Sequence, residues 1–237
     1  MINYLYSLLG IGCAALMVFI LNKMPVKCFC DYGETPDERH NPPRAGKKSF
    51  VIFAAILAVV FPGLGGRLGV NLESVFACLV CTVLLMIALS DIRYCIIPDE
   101  LIIVGCIFAT VSAFPGILSG PDWEIRLAPV FGAAVGAGVI YAINLLGRIL
   151  YKRDALGMGD LKLMIVSGIV CVQVGTAIAM LIGVFVAGIW FAAGIAAKKV
   201  QSESYMPLGP FLVFGTVFTM VFRPMIDSFL SWYISLI

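Results

Sequence analysis

Two aspartates stand at the edges of long apolar runs. Asp91 follows the run that ends at Ser90, and Asp160 precedes a new run. Acidic side chains at such places are costly in lipid and usually serve a function. Two carboxyls within about 5 Å share one proton, so one can activate a water while the other donates a proton. Asp91 and Asp160 could therefore hydrolyse a peptide bond as a pair, with neither assigned as the acid.

Glycines precede the second aspartate, in the order Gly157, Met158, Gly159 and Asp160. Because glycine allows close backbone approach, we expect a substrate strand to lie against this loop. A purely structural alternative stays open, since Asp160 or Asp99 could simply cap a helix.

The segments that carry these aspartates are predicted to cross a membrane. Of the 237 residues, 61% are hydrophobic and 13% are charged, whereas soluble domains average about 45–50% and 25%. This composition excludes a nucleic-acid-binding protein. We predict an all-α polytopic membrane protein, a bundle of about eight transmembrane helices within a range of six to eight. The runs lie near 3–22, 50–66, 72–90, 100–119, 127–147, 163–174, 176–196 and 208–222, and the short 163–174 run is expected to be half-inserted or steeply tilted.

Basic residues orient this bundle. With the N-terminus outside, only Arg67, Arg126 and Arg223 of the sixteen Lys and Arg residues fall in outer segments. Positive charge favours cytoplasmic loops, so Asp91 and Asp160 are expected at the cytoplasmic face. The predicted division is a first transmembrane helix at 1–22, a short cytoplasmic loop at 23–49 and a membrane-embedded catalytic domain at 50–237.

The eight cysteines do not suggest a disulfide framework, because six of them lie in or beside apolar runs. Cys28 and Cys30 lie in the polar loop. Two thiolates cannot close a structural zinc site, which needs four ligands. We therefore expect no metal site, with a metal shared between two chains through this pair as the lesser alternative.

Three segments resemble the signatures of type IV prepilin peptidases, a family of GxGD aspartic proteases. Asp91-Ile-Arg-Tyr-Cys-Ile-Ile-Pro-Asp99 resembles D-x-R-x(4)-P-[ND], and Ala155-Leu-Gly-Met-Gly-Asp-Leu-Lys-Leu163 resembles G-x-G-D-x-K. Met206-Pro-Leu-Gly-Pro-Phe-Leu212 is similar to the P-x-G-P-F-L run that opens the last helix of the family. The three segments occur in the family's order.

The resemblance implies a multi-pass protease of the bacterial inner membrane that removes the basic leader of type IV prepilins or pseudopilins at the cytoplasmic face. Asp91 and Asp160 then match the catalytic aspartates. The residues that match the supporting parts of the two signatures are Gly157, Gly159, Lys162, Arg93, Pro98 and Asp99. The implied partners are the prepilin substrates and the lipid bilayer; no oligomeric state is predicted.

The polar loop departs from the family. Many bacterial members carry two C-x-x-C pairs that bind zinc in this loop, and they methylate the new N-terminus with S-adenosylmethionine. Here the loop offers only Cys28-Phe-Cys30. We therefore expect proteolysis that needs no cofactor, without zinc and S-adenosylmethionine, or methylation by an atypical loop.

Two other functions are compatible with these residues. A presenilin-like intramembrane protease shares GxGD, but it pairs that motif with a Tyr-Asp, whereas Asp91 follows Ser90. A transporter could use Asp91 and Asp160 as a proton relay, although the internal repeats common in transporters are absent from the sequence.

Overall fold

The computed structural model describes residues 2–30, 45–152, 156–198 and 207–236. Residues 31–44 of the predicted loop, and Ala155 and Met206 of the two later signatures, lie outside these ranges. Every regular element described is helical, and seven helices are long and apolar enough to cross a membrane, which confirms the predicted fold class. They are α1 (Ile2–Lys23), α2 (Lys47–Leu68), α3 (Leu72–Tyr94), α4 (Asp99–Ser119), α5 (Trp123–Tyr151), α6 (Met158–Ala196) and α7 (Gly209–Ile234), and a short 3-10 helix, Val26–Phe29, follows α1.

Helix α3 is the centre of the bundle. Its most apolar window is 72% buried inside the protein, against 22–39% for the other six helices. It begins at a capping box, in which Asn71 and Ser74 exchange side-chain and backbone hydrogen bonds. It ends at Cys95, whose left-handed conformation (φ 53°) closes the helix with a 2.9 Å bond from its N–H to the Asp91 carbonyl. Asp91 therefore lies in the last turn of the central helix.

The sixth helix contains a sharp break. Val172 has φ 61° and ψ −179°, which is not helical, and this conformation is strained for a β-branched residue. The runs predicted at 163–174 and 176–196 are thus two arms of α6, which explains why seven helices are found where eight runs were counted. The first arm, residues 158–171, is only about 20 Å long at 1.5 Å per residue.

Contacts on both sides of the break show that the chain reverses there. A Cβ added to Gly136 on α5 would touch both the Met164 carbonyl and the Thr176 methyl, whereas residues twelve apart in a straight helix are about 18 Å apart. Gly132, one turn earlier, faces both Gly168 and Val172. The small residues of α5 thus let both arms of α6 pack closely against it.

One side chain of α7 and one of α6 itself stabilise the reversal. Arg223 on α7 donates a 2.6 Å hydrogen bond from Nη1 to the carbonyl of Cys171, the last residue before the break, and pairs with Asp227 at 2.9 Å. Thr176 donates from its hydroxyl to the Val172 carbonyl. A cation at the carbonyl end of a helix segment is favourable. Because of the reversal, the second arm returns alongside α7, where Gly183 packs on Phe211.

A second arginine compensates for a proline. In a regular helix the Met220 carbonyl would accept the N–H of residue 224, but Pro224 has none. Arg67, in the last turn of α2, donates to that carbonyl from Nη1 at 2.5 Å. Both arginines therefore hydrogen-bond to carbonyls at helix irregularities.

The Arg67–Met220 bond can be tested by a double-mutant cycle. We expect Arg67→Met to lower the free energy of unfolding by about 1–3 kcal/mol, because it leaves a carbonyl without its donor. In a Pro224→Ala background the cost should be smaller, since residue 224 then supplies an N–H. Urea unfolding in detergent measures both costs, and equal costs in the two backgrounds would contradict the compensation.

Candidate active site

Asp91 and Asp160 lie together at one end of the bundle. This end, called the Asp91 end below, is formed by the end of α3 and the starts of α4, α6 and α7. Asp91 is 6% exposed and Asp160 is 8% exposed. The two carboxyls singled out from the sequence are thus brought together on different helices, as the pairing requires.

The Asp91 carboxyl meets the first residue of α7. Gly209 donates its backbone N–H to Oδ2 of Asp91 at 2.9 Å. A Cβ added to Gly209 would lie 2.5 Å from that oxygen and 3.2 Å from Cγ, so a side chain there would displace the carboxyl. The N-terminus of a helix also carries a partial positive charge, which stabilises a carboxylate. The third signature therefore supplies a backbone donor to the aspartate of the first.

Asp160 lies in the first turn of its own helix. Gly157 is the N-cap of α6, with an extended backbone at φ −68° and ψ 147°. The backbone N–H of Asp160 donates to the Gly157 carbonyl at 3.2 Å. Asp160 thus lies in the turn that opens α6, where an acidic side chain is favourable.

Gly159 packs against the first signature. A Cβ built on it would meet Cβ and Cδ1 of Ile97 at 3.1 Å. The α3–α4 loop therefore approaches this glycine closely. This contact brings the G-x-G-D turn against the segment that follows Asp91.

An ion pair joins the two signatures. Nζ of Lys162 lies 2.6 Å from Oδ1 of Asp99, and both side chains are about one-third exposed. Asp99 is the first residue of α4, and the buried Pro98 is its N-cap. A partly exposed pair of this kind contributes about 0–1 kcal/mol to stability. Its main effect is to fix the start of α4 relative to the first turn of α6.

Arg93 and Ser90 hold the segment around Asp91. Nη2 of Arg93 donates to the Ser49 hydroxyl on α2 at 2.9 Å. The Ser90 hydroxyl donates to the Ile96 carbonyl at 2.8 Å, which closes the loop between α3 and α4. Arg93 therefore connects the first signature to α2.

The short helix Val26–Phe29 packs on the first signature. The Phe29 ring stacks on that of Tyr94, with centroids 4.7 Å apart. Partial burial, together with a hydrogen bond and the charge of Glu100, raises the pKa of Cys28 to about 11. The thiol of Cys30 donates to the Val26 carbonyl at 3.4 Å. Both cysteines of the polar loop therefore lie on this short helix or at its end, beside the first signature.

No group of three or more His, Cys, Asp or Glu side chains close enough to hold a metal ion occurs within the described ranges. The arrangement at the Asp91 end instead offers two buried carboxyls, with Asp91 against the first residue of α7 and Asp160 in the first turn of α6. Such a pair can hold one proton and activate a water.

The sequence reasoning did not recognise Gly209 as a contact of Asp91. The signal was present, because the third signature includes this glycine, but nothing local shows that the start of α7 lies against the end of α3. The reversal of α6 brings the start of α7 to this end of the bundle.

Comparisons with known proteins cover the segment that carries both aspartates. A model of the type IV leader peptidase family matches residues 78–192, which include both aspartates and the supporting residues named above. The prepilin leader peptidase/N-methyltransferase of Bacillus subtilis (strain 168) is 28% identical over 194 residues, or 79% of this chain and 71% of that protein. No solved structure matches the chain. The chain therefore resembles the type IV leader peptidase family over residues 78–192, and its helices are those of a multi-pass membrane protein.

Proposed function

We propose that this protein is an aspartyl endopeptidase that removes the basic leader of type IV prepilins or pseudopilins. Asp91 and Asp160 share one proton; one carboxyl takes a proton from the attacking water, and the other donates a proton to the scissile carbonyl or the leaving amine. The observation that carries this proposal is the burial of both carboxyls at the same end of the bundle, where the two signatures pack together through Gly159 and Ile97.

The family resemblance and the charge distribution support the proposed substrate and membrane face. The Bacillus subtilis relative is named a prepilin leader peptidase. With the N-terminus outside, the Asp91 end faces the cytoplasm of the bacterial inner membrane, since basic residues concentrate in the loops at this end. Cleavage is then expected beside the start of the hydrophobic helix of the substrate, at the depth of the two aspartates.

N-methylation of the new N-terminus is not part of the activity that we propose. The name of the Bacillus subtilis relative includes an N-methyltransferase, but the loop after α1 carries only Cys28-Phe-Cys30. Proteolysis by two carboxyls and a water needs neither zinc nor S-adenosylmethionine.

Substitution of either aspartate tests the proposed pair. Asp91→Asn and Asp160→Asn should each lower the rate of leader removal from a purified prepilin by at least about 100-fold, because an amide cannot exchange the proton. Asp122→Asn is the matched control, since Asp122 is an exposed residue at the start of α5 whose side chain makes no cap hydrogen bond. Circular dichroism should show unchanged helix content, and full activity in either aspartate variant would refute the mechanism.

The rate of cleavage should pass through a maximum with pH. At low pH both carboxyls are protonated and no base remains; at high pH both are ionised and no acid remains. Measuring kcat/KM across the pH range in detergent tests this expectation, with the helical signal recorded at each pH. A rate that rises monotonically from acid to alkaline pH would contradict a shared proton.

The contact between α7 and Asp91 gives a further test. Gly209→Ala places a Cβ where Oδ2 of Asp91 lies, so the carboxyl must turn away and lose its backbone donor. We expect kcat to fall by about 10–100-fold, as for a small misplacement of a catalytic group. Leader removal at saturating prepilin measures the change.

Gly188→Ala is the matched control for Gly209→Ala. Gly188 is also helical, and an added Cβ there meets nothing within 4 Å among the described residues. This variant should keep wild-type activity and gain about 0.5–1 kcal/mol of stability. Equal activities of the Gly209→Ala and Gly188→Ala variants would show that the contact with Asp91 is unimportant.

A further inference from the structure

Asn144 is a buried polar residue on α5, with only 4% of its surface exposed. Its Oδ1 accepts a 2.7 Å hydrogen bond from the backbone N–H of Leu156. Because a backbone N–H can only donate, the amide must present its oxygen to Leu156. The side chain thus ties the last stretch of the α5–α6 connection to the body of α5.

Leu156 directly precedes the turn that sets Asp160. Gly157 is the N-cap of α6, and Asp160 follows within the first helical turn. On its other side this turn packs against the α3–α4 loop through the contact of Gly159 with Ile97. The hydrogen bond from Leu156 to Asn144 therefore joins the chain to α5 immediately before the start of α6. The first turn of α6 carries Asp160, a candidate catalytic carboxyl.

Loss of the Asn144 oxygen would leave the Leu156 N–H without its acceptor in a part-buried position. An unpaired backbone group away from water is unfavourable, so the turn would shift to find another acceptor or water. Such a shift would move Gly157 and, with it, the Asp160 carboxyl relative to Asp91.

We propose that Asn144 is a positioning residue that fixes the distance and orientation of Asp160 relative to Asp91. This role rests on the proposed function, since it has a catalytic consequence only if the two carboxyls act as a pair. Asn144 acts through the Leu156 backbone and the N-cap of α6.

Two substitutions separate the hydrogen bond from the packing volume. Asn144→Leu keeps the approximate volume but removes the acceptor, whereas Asn144→Asp keeps an acceptor oxygen at the same reach. With a purified prepilin, we expect Asn144→Leu to lower kcat by about 100-fold with little change in KM, because substrate binding is not altered. Asn144→Asp should keep wild-type kcat within about threefold when each variant is assayed at its own pH optimum.

Thr219→Val is the matched control for the loss of a buried polar atom. The Thr219 side chain is fully buried on α7, and its hydroxyl has no hydrogen-bond partner among the described residues. This variant should leave kcat and KM unchanged. If Asn144→Leu matches Thr219→Val in kcat, or if Asn144→Asp is as impaired as Asn144→Leu, the positioning role is wrong.

Hydrogen exchange tests the contact without relying on a folded variant. In the wild-type protein, the Leu156 amide should exchange at least about tenfold more slowly than an unbonded amide; exchange at the unprotected rate would overturn the proposal. In Asn144→Leu, exchange should accelerate at Leu156 but stay unchanged at Val166, inside the first arm of α6.

The outcomes distinguish this inference from the proposed function. A wild-type protein that does not cleave prepilins, or an active Asp160→Asn variant, would refute the aspartyl mechanism. An active wild type with an inactive Asp160→Asn and a fully active Asn144→Leu would refute only the role of Asn144.

Discussion

Two carboxyl groups removed from water beside one another are the constraint on which the site depends. Each loses hydration when it is buried, and each repels the negative charge of the other. In the described structure, backbone groups at helix N-termini offset part of these costs. Asp91 meets the N–H of Gly209 at the start of α7, and Asp160 lies in the first turn of α6. The partial positive charge at a helix N-terminus is about half an elementary charge. The two helix N-termini at the site can therefore stabilise one negative charge in the pair, but they do not supply a full positive charge for each carboxylate.

The reversal of α6 is necessary for this arrangement. Helices that cross a bundle alternate in direction, so two consecutive helices cannot both begin at the same end unless the chain returns between them. The break at Val172 lets α6 leave the Asp91 end and come back to it, after which α7 begins beside Asp91. Arg223 and the small residues of α5 stabilise that break. The geometry at one end of the bundle therefore depends on contacts made toward the other end.

Much of the fold could be predicted from the sequence because it depends on local patterns. Apolar runs of about twenty residues mark membrane helices whatever their partners, and the positions of Asp91 and Asp160 at the ends of such runs placed them at the same end of the bundle. The break inside α6 was harder to predict. Val172 is neither glycine nor proline, and its left-handed backbone persists because Arg223 and Thr176 bind the carbonyls beside it.

The remaining site contacts join residues far apart in the chain, and the sequence does not specify them. Lys162 and Asp99 were both singled out, yet only the structure shows that they pair with each other. Gly209 and Ile97 lie within the quoted signatures, but the sequence does not show what matters about them, which is an N–H for Gly209 and a filled space for Ile97. Backbone donors and steric contacts can be supplied by many residue types, so the sequence does not mark them. The carboxyl groups of such a site can therefore be predicted from the sequence. The groups that position them are much harder to predict.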